Sequence, residues 1–168
     1  MAATHSTDPD GSAHPADLDS LVEGLMSETR LWQKFLSTQR LLVSRMSTDM
    51  ESHHIPLAWF DVLIHLAMEP TRSLRQISLT DRVLLSESGT SRMLGRMAAA
   101  GLVSRAPDVT DRRGVVVTLS DSGAETLRAV TAAHVALVRE LFTDVLDQTE
   151  LATLDRAFSR LLTRASAS

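Results

Sequence analysis

Between Leu74 and Leu119 the chain reads LRQISLTDRVLLSESGTSRMLGRMAAAGLVSRAPDVTDRRGVVVTL, a helix, a turn, a second helix and a two-stranded ribbon with arginines at its tip. A helix fits the major groove of duplex DNA and a basic ribbon can reach the neighbouring groove, so this order predicts a DNA-reading lobe. A short helix is predicted from about Leu74 to Asp81 and a longer one from about Ser86 to Ala100. Ser86 or Ser88 supplies the N-cap of the longer helix, because a serine hydroxyl can accept a bond from a first-turn amide. Gly101 suits the left-handed residue that stops it. Inside this helix Leu94, Met97 and Ala98 fall on one face, and Ser88, Ser91, Arg92 and Arg96 on the other. Leu102 to Arg105 and Val115 to Leu119 are strand-like and β-branched, and Pro107 to Gly114 supply the turn between them.

The overall charge of -4 by itself argues against a nucleic-acid partner, since phosphate affinity comes from basic surface. Its distribution reverses that conclusion. From Arg72 to Arg113 there are eight arginines against four acids, a local +4, whereas the remainder carries -8. A basic lobe on an acidic body gives any DNA contact a defined face. Ser88, Thr90 and Ser91 are short donors at the positive end of the second helix, suited to phosphates or base edges. Arg96 has the reach for a phosphate, and Arg92 for phosphate or guanine. Of Arg112 and Arg113, one is expected to pair with Asp111 and stiffen the turn, leaving the other for the minor groove. Arg105 is read as a ribbon or backbone contact, and Glu87 as stabilising the helix start.

The flanks set the organisation. Residues 1–16 are polar, acidic and rich in proline, read as a disordered tail without signal-peptide character. Residues 17–56 carry one or two amphipathic helices, broken at His53 to Pro56; 57–120 form the DNA-binding lobe, with a first helix from about Leu57 to Ala67; and 121–168 carry two further helices. Ser120 or Ser122 caps the first of these, with Ser122 and Glu125 at capping-box spacing; it runs to about Asp147, and the last spans about Glu150 to Arg164. Such long amphipathic ends cannot all be buried on so small a lobe, so a homodimer is expected, with two reading heads meeting a pseudo-palindromic site. Zero cysteines and no membrane-length apolar run point to a cytoplasmic protein.

Residues 84–123, LLSESGTSRMLGRMAAAGLVSRAPDVTDRRGVVVTLSDSG, resemble the winged helix-turn-helix transcription regulators of the MarR (multiple antibiotic resistance regulator) family. The glycine-leucine-valine step into the ribbon, the Asp111-Arg112-Arg113 tip and the Leu119-to-Gly123 exit carry the likeness, which extends in pattern from about Leu21 to Leu162. The resemblance implies a mainly α fold with a small β-wing, in which a winged helix-turn-helix lobe is joined to a helical dimerisation region. It further implies a dimeric repressor or activator, with the second helix in the major groove and a wing arginine in the minor groove. The other reading is a winged-helix module that docks proteins without touching DNA.

The resemblance also bears on control. Members that respond to urate and related small anions are similar in having an extra N-terminal helix, a tryptophan on the next helix, an aspartate on the following one and an arginine on the reading helix. Trp32, Asp61 and Arg92 stand in corresponding positions, with residues 17–26 for the extra helix. The subgroup's further arginine is missing, since Met68 and Glu69 occupy its place, which argues against urate itself and leaves a small anionic or aromatic effector. An anion competing for Arg92 would release the reading helix from Asp61; the alternative is a structural Asp61–Arg92 pair with Trp32 in packing. Trp59 is read as core. None of the six histidines forms an i, i+4 pair, so no metal or other cofactor is expected. No phosphate loop, nucleophile elbow or catalytic carboxylate pair is present, so an enzyme is not expected.

Overall fold

A computed structural model describes residues 15–83, 86–111 and 114–167. The chain is mainly helical, with one small sheet: α1 Pro15–Ser52, α2 Leu57–Met68, β1 Ser73–Arg75, α3 Gln76–Arg82, α4 Glu87–Ala99, β2 Val103–Pro107, β3 Val115–Leu119, α5 Asp121–Val138 and α6 Gln148–Ser166. It divides into two compact units, residues 1–41 and 42–168.

In the first unit, α1 opens at Pro15, two residues inside the segment expected to be disordered. The rest of that tail lies outside the described residues. Residues 17–26 do not form a separate helix; they are part of a single α1 of 38 residues. Gly24 does not interrupt it, because lone glycines weaken a helix without breaking it. Leu18, Leu21, Leu25, Leu31 and Trp32 are all exposed along this part of α1.

The second unit is built on α2. Phe60, Val62, Leu63 and Leu66 are fully or almost fully buried, which wraps apolar contact around more than one side of the helix. The helix lies against α5, β1 and β3. Met50 from the end of α1, Leu79 from α3, Met93, Leu94 and Met97 from α4, and Val117 from β3 complete the core. Burying each such side chain contributes about 1.5–3 kcal/mol before entropy is counted.

The sheet has three antiparallel strands in the order β1-β3-β2, not two. Leu74, expected to start a helix, instead pairs with Val117, and Arg75 with Val116. Pairing satisfies the edge of β3 that β2 leaves open, so the local helical pattern yields there and α3 starts only at Gln76.

Two turns of sequence chemistry fix where the wing meets the next helix. Gly101 takes a positive φ of 76°, and the chain then enters β2. Ser120, not Ser122, caps α5: its hydroxyl accepts from the Gly123 amide and donates to the Gly101 carbonyl at 2.6 Å. Gly123 is required by this approach, since a Cβ there would collide with the Leu102 carbonyl. The α5 helix ends earlier than expected, at Val138, and passes into a π-helical turn, Arg139–Thr143. The last helix starts at Gln148 because Asp147 and Glu150 form a reciprocal capping box. Among the described residues, no helix is long and apolar enough to cross a membrane.

Candidate nucleic-acid interface

Helix α4 is capped by Ser86, whose Oγ accepts from the Gly89 amide at 3.2 Å. Its inner face is Thr90, Met93, Leu94 and Met97, all buried. The spacing 90, 93, 94, 97 is one helical stripe, so Thr90 faces the core and not the outer surface where it was expected. Its hydroxyl is buried without a hydrogen-bond partner. A threonine in register with Leu94 and Met97 carries its short side chain inward whatever its polarity, and that register was visible in the sequence.

On the opposite side Ser88, Arg92 and Arg96 are exposed. The guanidinium groups of Arg92 and Arg96 make no hydrogen bond or ion pair among the described residues. Their charge is therefore available at the surface. Ser91 is half-buried and lies 3.4 Å from Nη2 of Arg105, which also donates to Oε1 of Gln76 at 2.7 Å. Arg105 thus spans from β2 to α3 and α4, as an internal contact.

Three other arginines of the basic segment have distinct settings. Arg82 is paired with Glu69 at 2.9 Å. Arg72 is an exposed residue of positive φ whose carbonyl accepts from the Leu119 amide. Arg75 is turned into the wing: its Nε lies 2.7 Å from Oδ2 of Asp108 and its Nη2 donates to Oγ1 of Thr110 at 2.8 Å. Asp108 also accepts from the backbone amide and hydroxyl of Thr110, both at 2.8 Å. These two bonds, then the Arg75 charge, hold its carboxyl below the usual carboxylate range, although burial opposes them. Arg112 and Arg113 lie outside the described residues, so their proposed split of roles is not placed by the structure.

The expected Asp61–Arg92 ion pair is not formed among the described residues. The Asp61 charge, like that of Asp49, is instead felt by His134 on α5, whose ring stands 4.5 Å from that of Phe60. Arg92 lines an open hollow of about 750 Å³ between α2 and α4, together with Arg96, Trp59, Pro56 and Met93. Trp59 packs partly on the core and also walls this hollow, a role that an apolar helical pattern alone could not show. Trp32 belongs to the first unit, is 55% exposed, and has its ring 5.7 Å from that of Phe35. Among the described residues no three histidine, aspartate or glutamate side chains gather as a metal-holding group.

Comparison with known proteins gives this geometry a family. The profile described as "MarR family" matches residues 53–114. An HTH-type transcriptional regulator of Mycobacterium tuberculosis is 28% identical over 137 residues, covering 79% of this chain and 88% of the relative. Among solved structures, AbsC, a MarR family transcriptional regulator from Streptomyces coelicolor, is 30% identical with a TM-score of 0.79, over 84% of this chain and 96% of that one. A second MarR family regulator from the same organism, solved in complex with DNA, is 26% identical with a TM-score of 0.76, over 83% of this chain and 87% of that one. With that likeness over nearly the whole of AbsC, the chain belongs to the MarR family of transcriptional regulators.

Proposed function

We propose that the protein is a homodimeric, sequence-specific DNA-binding regulator, acting in the cytoplasm as a repressor that a small anion releases. The observation that carries this reading is the pair Arg92 and Arg96, exposed and without ionic partners on the face of α4 opposite its buried stripe. In that arrangement α4 lies in the major groove, with Arg96 on a phosphate, Arg92 on phosphate or guanine, and Ser88 and Ser91 on phosphates or base edges. Arg112 and Arg113 are assigned to the wing tip at the minor groove. Thr90 supports the helix from inside and is left out of the contact set. The relative from Streptomyces coelicolor that was solved in complex with DNA supports the same reading.

The dimer is supported by apolar side chains that the single chain leaves in water: Leu161 and Leu162 on α6, and Leu21 and Leu25 on α1. A twofold pair would bury the same patch on both copies. For release, the hollow at Arg92 offers an anion two guanidinium groups, those of Arg92 and Arg96, beside the Trp59 side chain in its wall. An anion held there would occupy arginines that DNA needs. Of the residues first associated with the effector, Arg92 keeps its place, whereas Asp61 is proposed only as an outlying contributor.

Gel-shift with DNA flanking the protein's own gene tests this directly. A shifted band that weakens steeply with salt is expected. Absence of any duplex binding would favour a protein-docking module. Titration with citrate and simple phenolic acids, followed by tryptophan emission and by loss of the shifted band, tests release.

A further inference from the structure

The wing holds an acid where simple electrostatics would forbid one. Asp108 is 6% exposed in a segment assigned to face polyanionic DNA, and Arg75, which could have met a phosphate, is turned toward it. Arg75 is the last residue of β1, where it pairs with Val116 of β3, and also the N-cap of α3. Its guanidinium reaches past the strand to Asp108 and Thr110. One side chain therefore joins the start of the helix-turn-helix to the turn of the ribbon.

That turn is closed tightly. The Asp108 amide donates to the Gly114 carbonyl at 2.9 Å, and the Gly114 amide donates to the Asp111 carbonyl at 2.7 Å. A Cβ on Gly114 would stand 3.1 Å from the Cβ of Asp108. Asp111 and Gly114, the residues that flank Arg112 and Arg113 in sequence, are thus tied to Asp108, and Asp108 to Arg75.

We propose that Arg75 and Asp108 are positioning residues for DNA binding: a charged strut that sets the wing against α3, so that the arginines of the tip meet the minor groove while α4 is in the major groove. The inference rests on the DNA reading given above. The strut gives up one cation that could have met a phosphate and retains one carboxylate, and in return gives a defined wing geometry, which lowers the ordering cost of binding. Its two-point geometry is specific to a guanidinium, since an ammonium cannot reach both Asp108 and Thr110 in one plane.

This assignment reverses the sign expected from charge alone. Asp108→Asn removes a negative charge from the DNA side and, if the residue were a bystander, would tighten binding. The strut instead predicts that full-length Asp108→Asn binds the DNA flanking its own gene roughly tenfold more weakly than the wild type. Arg75→Lys, which keeps the charge, is expected to fall with it, and Thr110→Val to move the same way by a smaller factor. In each variant hydroxyl-radical protection in the minor groove is lost while methylation protection of major-groove guanines remains, a split that a general loss of folding would not produce.

Unchanged or tighter binding by Asp108→Asn or by Arg75→Lys, with the wild type binding normally, would overturn the strut alone. A wild type that binds no duplex would overturn the DNA reading, and the strut's role with it.

Discussion

Helices α4 and α6 are both strongly amphipathic, yet α4 buries four residues within the lobe and α6 buries none. On α4 the apolar stripe is met by α3 and β2 of the same chain. On α6 Leu161 and Leu162 remain 63% and 68% exposed. An apolar stripe states that a partner is needed without stating where it comes from. The two helices differ in outcome: α4 is folded onto the core of the lobe and can present charge on its other face, while the apolar side chains Leu161 and Leu162 of α6 stay exposed in the single chain.

The largest effect expected is on α6. Leu161→Asp with Leu162→Asp should convert the proposed dimer to a monomer in sedimentation, because each charge is buried twice in a twofold interface at a cost of several kcal/mol. The lobe should keep its helical signal; a dimer of unchanged mass would show that α6 has no partner in a second copy. Leu94→Ala attacks the other side of the comparison and should lower unfolding stability by about 2–5 kcal/mol in denaturant titration. A loss well under 1 kcal/mol would mean that the α4 stripe is not core.

Gly123→Ala sharpens the boundary between the two regions. Displacing the Leu102 carbonyl should cost about 1–3 kcal/mol by thermal or chemical melting, without loss of the dimer. A smaller effect attaches to pH. Burial holds the His134 imidazole below its ordinary value, with the Asp49 and Asp61 charges pulling the other way. A group lowered in the folded state contributes stability above its unfolded value, and that contribution is lost as pH falls through the folded value. Replacement of His134 by Leu should therefore flatten the decline in melting temperature between roughly pH 7 and pH 5. A decline as steep as that of the wild type would remove His134 from the account.

Much of the lobe was legible because its punctuation is chemical. Ser86 and Gly101 bound α4, and β-branched runs mark β2 and β3. Strand β1 was not legible: three residues adopt it only because β3 offers an unpaired edge, which no local pattern encodes. The same division runs through the site. Exposure of Arg92 and Arg96 follows from helical spacing, and Thr90 could have been placed inside by that rule. The Arg75–Asp108 contact joins residues 33 apart in sequence, and Trp59 joins Arg92 only through the packing of α2 near α4. Such pairings depend on the fold, although the short Asp108-Val109-Thr110 run does carry the spacing of a side chain bonding two residues onward.

In the proposed complex the ionically unpartnered arginines of α4 are what meets DNA. The salt dependence of duplex affinity, compared between the wild type and the protein carrying Arg92→Ala and Arg96→Ala, tests that contact. Loss of two phosphate contacts should weaken binding and make the slope of log affinity against log salt shallower by about two per protomer. The same slope and affinity in the double variant, with the fold intact, would contradict the account.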